Sequence, residues 1–452
     1  MNTLDPLQLE LPIHLVSAKS KFSFVDLFAG IGGFRIALER LGGQCLGYSE
    51  IDRDAVKIYQ TNFINYFNRD EPNLGDIVKI TELPRNLDVL VGGVPCQPWS
   101  VAGKLKGFDD PRGKLWFDVL RLTQNSQPKS FIFENVRGLA SPKNQNSFEF
   151  LLRKFEKIGY SVKWKILNAY DFGLPQNRER VFIVGIRNDI EHHQEYKFPK
   201  PLGLQPKLLD ILDEFKNSEI PEKAKLDPEI LFQSDRIPAS RTRFQKDDEL
   251  NDFFIFSDLR NGHTTIHSWD IIDTTEKEKL ICLTLLRNRR KKKYGHKDGN
   301  PLSFENLKEL IPDLEREELD TLVQKKIFRQ TENHKYEFVN SKNMSGIDGV
   351  YRIVMPNSDV APTLTATGTK NFYATRFIQA DNPEKYKAKF LNLVYKKGRY
   401  KSFTAKHFCR LQGFPDDFVF HPDSKKAGKQ FGNAVPVPMV FHVAKDVIRR
   451  VW

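Results

Sequence analysis

The chain has 452 residues, of which 40% are hydrophobic and 28% charged, and its formal net charge is +12 at pH 7. This length and apolar content are enough for two or three packed domains. No apolar run reaches the roughly 20 residues of a membrane-spanning helix, and the N-terminus lacks the basic start and apolar core of a signal peptide. We therefore predict a cytoplasmic protein without a membrane segment, and the positive charge predicts a polyanionic partner.

The four cysteines, Cys45, Cys96, Cys282 and Cys409, are far apart in the sequence. They form no CxxC pair and no Cys/His cluster, so we expect neither a disulfide framework nor a metal site. Any special cysteine in this chain would therefore have a chemical role.

A βαβ pattern begins after a polar tail at residues 1–20. Phe24–Phe28 is predicted to be a strand, Phe34–Leu41 a helix and Cys45–Tyr48 a second strand, with a glycine turn between the first two. The same alternation continues through Leu87–Val91, Lys114–Leu122, Ser130–Phe133, Phe148–Ile158, Val162–Leu167 and Val181–Gly185. It predicts an α/β domain over residues 21–188 with a doubly wound, mostly parallel sheet.

From about Arg187 the sequence becomes irregular and rich in Pro, Lys and Asp, which predicts a second, smaller domain over residues 189–402. Within it, residues 275–340 show a helix (Glu276–Lys292), a helix capped by Ser303, a third helix and a hairpin. Three helices followed by a hairpin resemble a winged helix, although another small helical insert would show the same periodicity. Residues 403–452 are regular again and are predicted to return to the first domain.

Two features indicate a cofactor at the ends of the first strands. The turn from Phe28 to Phe34 contains Gly30, Gly32 and Gly33, and it stands between a strand and a helix, where backbone can approach a ligand. Glu50 follows the next strand and is suited to binding ribose hydroxyls. Together they predict an adenosine-containing cofactor, with a tight turn that binds nothing as the alternative for the glycine segment.

Cys96 lies between two prolines, in Pro95-Cys96-Gln97-Pro98, directly after a predicted buried strand. This is the edge at which open α/β sheets bind ligands. Most cysteines are small buried hydrophobes, but a rigid turn at this edge predicts a sulfur held outward.

Seven segments in this order resemble the motifs of DNA (cytosine-5) methyltransferases, especially those of bacterial restriction-modification systems. They are Asp26–Glu39, Glu50, Gly75–Ile77, Pro95–Gln97, Glu134–Val136, Gln176–Arg180 and Gln430–Pro436. The resemblance covers nearly the whole catalytic part, whereas the region from Arg187 to about Val350 is variable in the family. It implies an S-adenosylmethionine-dependent methyltransferase fold, a target-recognition domain at 189–402, and methylation of C5 of a cytosine within a specific sequence of double-stranded DNA.

The resemblance also implies catalytic roles. Cys96 would add to C6 of the cytosine, since C5 becomes nucleophilic only after that addition. Glu134 would hydrogen-bond or protonate N3, Arg180 would contact O2, and Arg178 would contact the region around the active-site loop. A hydrogen-bonded strand end for Glu134 and surface ion pairs for either arginine are the alternatives.

The implied cofactor is S-adenosylmethionine. In the family pattern Phe28 stacks on adenine, Asp76 accepts a hydrogen bond from its amino group, and Asn433 holds the methionine end. The full predicted set is Phe28, Gly30, Gly32, Gly33, Glu50, Ile51, Asp76, Ile77, Pro95 and Asn433. A place in the hydrophobic core is the alternative for Phe28.

The target cytosine must leave the duplex stack to react, and Ser100–Lys114 is predicted to be a flap that closes over the DNA. The run from Arg287 to Lys293, with Arg289, Arg290 and Lys291 at its centre, is predicted to contact phosphates. A solvated helix face is the alternative. We expect the enzyme to act as a monomer.

Two other functions remain open at this stage. Transfer-RNA cytosine-5 methyltransferases share these motifs but carry a Cys-Phe-Thr tripeptide that this sequence lacks. A catalytically silent DNA-binding relative is the other alternative, and the intact catalytic positions argue against it.

Overall fold

The computed structural model describes residues 20–65, 69–95, 113–215, 268–296, 299–339, 352–356, 361, 363–366, 371–378, 380 and 383–452. Two compact units divide the chain. The first contains residues 1–213, 359–368 and 404–452, and the second contains residues 214–358 and 369–403. Cys96 and most of the predicted flap lie outside the described residues.

The first unit is built, in its described part, around a six-stranded sheet with the order β2-β1-β3-β4-β6-β5. The strands are β1 (Phe22–Leu27), β2 (Gly43–Ser49), β3 (Val89–Gly93), β4 (Ser130–Val136), β5 (Tyr160–Asn168) and β6 (Glu179–Arg187). Helices α1 (Gly33–Arg40), α2 (Arg53–Tyr59), α3 (Leu115–Ser126) and α4 (Gln145–Lys157) connect them. The pairs β1–β2, β1–β3 and β3–β4 are parallel, whereas β6 is antiparallel to both of its neighbours, β4 and β5. The predicted mostly parallel α/β sheet is therefore confirmed.

Both faces of the central strands are covered. Phe24, Val89 and Ile132 belong to the core on one face, whereas Val25 and Leu90 belong to the core on the other. Strands buried on both sides need apolar residues at successive positions rather than at alternate ones. This explains the short continuous apolar runs from which the strands are predicted.

The second unit contains a helical insert. Its helices are α5 (Ser268–Ile271), α6 (Glu276–Asn288), α7 (Phe304–Leu310) and α8 (Arg316–Gln324), followed by the hairpin strands β7 (Phe328–Gln330) and β8 (Tyr336–Phe338). Leu302, just before α7, pairs with Tyr336 of β8 through two backbone N–H···O bonds of 3.1 and 2.7 Å. Leu302, between α6 and α7, therefore adds a third short strand-like segment to the hairpin.

Side-chain caps set the helix starts in this insert. The Thr275 hydroxyl accepts a hydrogen bond from the Glu278 amide ahead of α6, and Ser303 caps α7 in the same way, as predicted from the sequence. Helix α6 ends at Asn288, before the predicted end at Lys292. The physical reason is that the Arg289 carbonyl accepts hydrogen bonds from the backbone and side chain of Asn300 instead of continuing the helical ladder.

A small three-stranded sheet completes the second unit. It consists of β9 (Arg352–Val354), β10 (Asn371–Ala374) and, after helix α9 (Pro383–Phe390), β11 (Tyr400–Ser402). Ile353, Met355 and Phe390 form its core.

The C-terminal residues belong to the first unit and form α10 (Ala405–Leu411), α11 (Ser424–Asn433) and α12 (Val437–Val451). Helix α12 starts directly after Pro436, and its buried stripe includes Val440, Val443 and Val447. These residues join the same core as Phe24 of β1. In the described part of the chain, no helix combines the length and apolar character needed to cross a membrane.

A buried ion network stands beneath the glycine turn. The Arg35 side chain is fully buried, and its guanidinium lies 2.9 Å from a carboxylate oxygen of Glu39 and 2.9 Å from one of Glu71. The same guanidinium lies 4.8 Å from the centre of the Phe63 ring. Arg69 adds a second cation, 2.7 Å from Glu39. Removing one member of such a network leaves buried charge without compensation, which is costly in a medium of low polarity.

We therefore predict that Arg35→Met lowers the free energy of unfolding by about 3 kcal/mol. Urea denaturation followed by circular dichroism measures this change. The matched control is Arg137→Met, since Arg137 pairs with Glu179 on the surface, with 65% of its side chain exposed, and should cost less than about 1 kcal/mol. Equal effects of the two substitutions would contradict a structural role for the buried network.

Candidate active site

A cavity of about 380 Å³ lies in the first unit, at the carboxyl ends of β1 to β4. Open α/β sheets place their ligand sites at this edge, and the volume is within the range of ligand pockets, about 300–1,000 Å³. The cavity brings together most of the predicted site residues. Those lining it are Phe28, Gly30, Gly33, Glu50, Ile51, Asp76, Ile77, Pro95, Glu134, Arg178, Arg180 and Asn433.

The glycine turn forms one wall of the cavity. Phe28 has a φ of 55°, an uncommon conformation for a non-glycine residue. Its ring is partly buried and contacts the core while also lining the cavity. Gly32 has a φ of 91° and caps α1, and a Cβ at this position would clash with the Phe63 ring. Gly32 thus shapes the turn from behind and does not itself line the cavity.

Glu50 holds the end of β2 against this turn. One carboxylate oxygen accepts a hydrogen bond of 2.9 Å from the Gly30 amide. The other accepts from the amides of Ile51 and Asp52, at 2.8 and 2.7 Å. An ionised carboxylate has about four acceptor positions, so Glu50 retains capacity for hydroxyl groups of a ligand while it orders the turn.

Asn73 is a positioning residue that the sequence analysis missed. Its side-chain oxygen accepts hydrogen bonds from the amides of Glu50 and Gly75, and its amide nitrogen donates to the Glu50 carbonyl. It therefore joins the end of β2 to the Gly75–Ile77 segment. The Asp76 side chain caps the following turn by accepting from the Val78 amide at 3.1 Å, and Ile77 is buried beside it.

Glu134 and Arg180 form an ion pair at the other side of the site. The Glu134 side chain is 9% exposed, and its carboxylate lies 2.8 Å from Nε of Arg180. Burial raises the pKa of Glu134 above its usual value, although Arg180 and Arg178 pull it down. Gly93 faces Glu134 across the β3–β4 register. A Cβ there would be 3.8 Å from the carboxylate, an ordinary van der Waals distance, so this position lies directly beside the acid.

Asn135, the residue after Glu134, supports the segment that leads to Cys96. Its buried side-chain amide donates to the Val94 carbonyl at 3.1 Å. Val94 is two positions before Cys96, so this hydrogen bond ties the end of the described segment to β4. The sequence around Asn135 does not indicate this contact, because Val94 follows a different strand, β3.

Arg178 is buried, with 1% of the residue exposed. Its guanidinium donates to three backbone carbonyls, those of Leu364 (2.7 Å), Gly432 (3.0 Å) and Ala434 (2.8 Å). It is therefore not a surface ion-pair residue. The geometry makes Arg178 a clamp between the Leu364 segment and the Gly432–Ala434 segment, and the latter belongs to the far wall of the cavity.

That far wall is the end of α11. Asn433 is exposed there, and Lys429 and Gln430 line the cavity one turn earlier. Both polar atoms of the Gln430 amide are buried and have no hydrogen-bond partner among the described residues. Buried polar groups are normally paired, so Gln430 is a further candidate for ligand contact, and only its membership in the Gln430–Pro436 motif signals it in the sequence.

The predicted phosphate-contacting residues lie in the second unit, and they do not share one environment. Arg290 and Lys291 are exposed after the end of α6. Arg289 is 7% exposed, with its guanidinium 5.6 Å from the centre of the Phe338 ring. Arg289, predicted with its neighbours to contact phosphates, thus differs from them because its side chain packs within the insert.

Comparisons with known proteins identify the family. A family model described as C-5 cytosine-specific DNA methylase matches residues 22–449. The chain is 46% identical to the Type II methyltransferase M.HgiBI of Herpetosiphon aurantiacus over 428 residues, which cover 94% of this chain and 96% of that protein. It is 34% identical to the Type II methyltransferase M.BanI of Aneurinibacillus aneurinilyticus, with 95% and 96% covered.

A solved methyltransferase structure from Entamoeba histolytica, at 16% identity, has a TM-score of 0.51 over 95% of this chain and 99% of that one, and it shares the fold. The chain belongs to the C-5 cytosine-specific DNA methylase family. It is a DNA (cytosine-5) methyltransferase, and the function predicted from the motifs is confirmed.

The three described cysteines are all buried. Burial raises the pKa of both Cys45 and Cys409 to about 12, and it also raises the pKa of Cys282. A thiol attacks alkylating agents as the thiolate, so none of these three should react in the folded protein.

We predict that iodoacetamide at neutral pH labels Cys96 alone in the native enzyme, as located by mass spectrometry of peptides. The other three cysteines should react only after unfolding. The Cys96→Ser variant is the control and should take up no label while folded. Native labelling of Cys45 or Cys409, or none at Cys96, would contradict the expected division into one reactive and three structural thiols.

Proposed function

We propose that the enzyme binds S-adenosylmethionine in the cavity of the first unit and uses Cys96 as the nucleophile on a cytosine rotated out of duplex DNA. The observation that carries this proposal is the cavity itself. Its lining combines the glycine turn and Glu50, which suit an adenosyl group, with the buried Glu134–Arg180 pair, which suits a base.

The donor set fits an adenosylmethionine. Phe28 offers a ring face for adenine, Asp76 an acceptor for an amino group, and Glu50 acceptors for ribose hydroxyls. The uncompensated amide of Gln430 and the side chain of Asn433 offer donors and acceptors for the amino-carboxylate end. When bound, this cofactor supplies an electrophilic methyl group.

The reaction begins with Cys96. Its thiolate adds to C6 of cytosine, and the electron pair of the C5–C6 double bond moves toward C5 while the ring nitrogen N3 gains basicity. After C5 has been methylated, water takes the C5 proton, the C5–H electron pair restores the double bond, and the Cys96 sulfur leaves C6 with its bonding pair. The thiolate is thereby regenerated, and the net change is one methyl group in place of one hydrogen.

Glu134 stabilises this addition at N3. A carboxyl group whose pKa is raised by burial holds a proton to higher pH than an exposed one, which suits donation to N3. Arg180 orients the carboxyl through the 2.8 Å contact and offers further donors to the cytosine O2. Arg178 acts differently: it positions the wall around Asn433 and the Leu364 segment through its three carbonyl contacts.

The enzyme is further proposed to work as a cytoplasmic monomer that protects host DNA in a restriction-modification system. The relatives named Type II methyltransferases, at up to 46% identity over nearly their full length, support this biological role. The second unit is proposed to supply DNA contacts, including Arg290 and Lys291. Methylation-sensitive sequencing of plasmid from an expressing strain identifies the target site and tests the modification role directly.

The test of the nucleophile is Cys96→Ala. We expect methyl transfer to be abolished while the dissociation constant for S-adenosylmethionine changes little, because no cofactor contact is assigned to the sulfur. Filter-based transfer assays and calorimetry measure the two quantities. With duplex DNA containing 5-fluorocytosine, the wild type should form an adduct that survives a denaturing gel, since fluorine cannot leave as the C5 proton does. Retained turnover, or no adduct with the wild type, would rule out this chemistry.

For Glu134 we predict that Glu134→Gln lowers the single-turnover rate at least about 100-fold, with little change in DNA affinity, because general-acid assistance contributes about 10²–10⁴-fold to rate. The sign of the pH dependence follows from the raised pKa: the wild-type rate should fall as pH rises through the pKa of Glu134, when its proton is lost. The residual rate of the variant should lack that limb. A parallel loss of DNA binding and rate would instead indicate a structural residue.

A further inference from the structure

Five cations stand together at the end of the first long helix of the insert, α6. They are Arg287, Arg290, Lys291, Lys292 and Lys293, all exposed, and we name them the basic ridge. The Lys293 ammonium lies 4.6 Å from the centre of the neighbouring Tyr294 ring. No ion pair within the described residues involves Lys291 or Lys292, so their charge is available to a partner.

The backbone of the basic ridge is folded and supported from below. The Lys291 amide donates to the Asn288 carbonyl at 2.9 Å, and the Tyr294 amide donates to the Lys291 carbonyl at 3.0 Å. Arg289, in the middle of the run, points the other way and packs over Phe338. Its carbonyl is held by both the amide and the side chain of Asn300. One inward arginine thus anchors a turn that displays its neighbours outward, which reduces the ordering cost of binding.

Counting the three helices predicted for residues 275–340, the first is α6, the second α7 and the third α8, and α8 has the opposite charge to the basic ridge. Glu317 and Asp320 are exposed on it. The cation on this helix, Arg316, is 3.3 Å from Glu305 of α7. A polyanion approaching this surface would meet exposed carboxylates and a guanidinium that already has an acidic partner.

Two cations next to α8 also have acidic partners, whereas Lys326, just after its end, is exposed. Lys277 pairs with Glu318 at 2.9 Å and Lys325 with Glu278 at 2.8 Å. On the hairpin, Arg329 lies 2.6 Å from Glu337. These pairs join elements of the insert to each other, so their charge serves its internal packing.

In helix-turn-helix proteins the recognition helix enters the major groove. Here that placement would bring Glu317 and Asp320 against phosphates, and like charges repel at short range. We propose that the insert contacts the phosphates of double-stranded DNA through the basic ridge at the end of its first helix, and that its third helix and hairpin face away from the DNA. This inference rests on the proposed function, since it takes duplex DNA as the partner of the second unit.

The experiment compares two double variants of the full chain that remove the same charge. Lys291→Gln with Lys292→Gln neutralises the basic ridge. Lys326→Gln with Lys335→Gln neutralises two lysines at the end of the third helix and in the hairpin, where the usual docking mode would use them. Binding of a fluorescein-labelled duplex is titrated by anisotropy at several salt concentrations, and thermal denaturation of both variants should coincide with wild type.

We expect the ridge variant to reduce the slope of log affinity against log salt by about 1.8, because each lost phosphate contact removes roughly 0.9. The third-helix variant should keep the wild-type slope. A reduced slope only in the third-helix variant, or equal slopes in all three proteins, would overturn the proposal. A second ridge pair, Arg287→Gln with Lys293→Gln, should repeat the first result and decides the case if the first pair is unstable.

Failure of this inference is distinct from failure of the proposed function. The titrations contain no cofactor and do not depend on methyl transfer. If the wild type bound no duplex at all, the proposed role of the second unit would fail. If the wild type bound but the ridge pair left the salt slope unchanged, only the orientation argued here would fail.

Discussion

The active site depends on the satisfaction of buried hydrogen-bonding groups around the 176–178 loop. Arg178 donates hydrogen bonds to carbonyls of two segments that are distant in sequence, at Leu364 and at Gly432–Ala434. The fully buried Gln176 side chain donates to the Leu411 carbonyl and accepts from the Leu364 amide. An unpaired buried carbonyl is costly, so these contacts stabilise the packing of the C-terminal segment against this loop. The wall that carries Asn433 and Gln430 is a consequence of that packing.

Hydrogen bonds and ion pairs of partly or fully buried carboxylates also determine what the site can do chemically. Glu50 orders the glycine turn with backbone amides while keeping acceptor positions for a ligand. Glu134 experiences opposing influences, because burial favours its protonated form and Arg180 favours its ionised form. A carboxyl group in this balance can change its protonation state as charge develops on a neighbouring base. Asn135, the next residue in β4, donates to the Val94 carbonyl, so the proposed acid and the segment before the proposed nucleophile depend on one strand.

Exposed positive charge in the insert of the second unit is concentrated in the basic ridge. Such charge contributes to DNA affinity rather than to sequence specificity. Phosphate contacts fix register and add affinity but carry no base information. A basic ridge held by Arg289 and Asn300 is suited to that task, whereas base reading requires side chains that enter a groove. We therefore expect sequence discrimination to come from other parts of the second unit, and salt-dependent affinity to come in part from the ridge.

The amino-acid sequence by itself determined the features that are encoded locally. Apolar runs marked the strands, glycines the turn between β1 and α1, Ser303 the start of α7, and motif order the family. Tertiary structure alone decided the roles of Arg178, Asn73 and Gln430, and it showed Arg289 to be internal while its neighbours are exposed. The reason is physical: periodicity and caps depend on residues within one or two turns, whereas the partners of Arg178 are 186 to 256 positions away. Burial of a single cation in a run of cations is likewise settled by what packs against it.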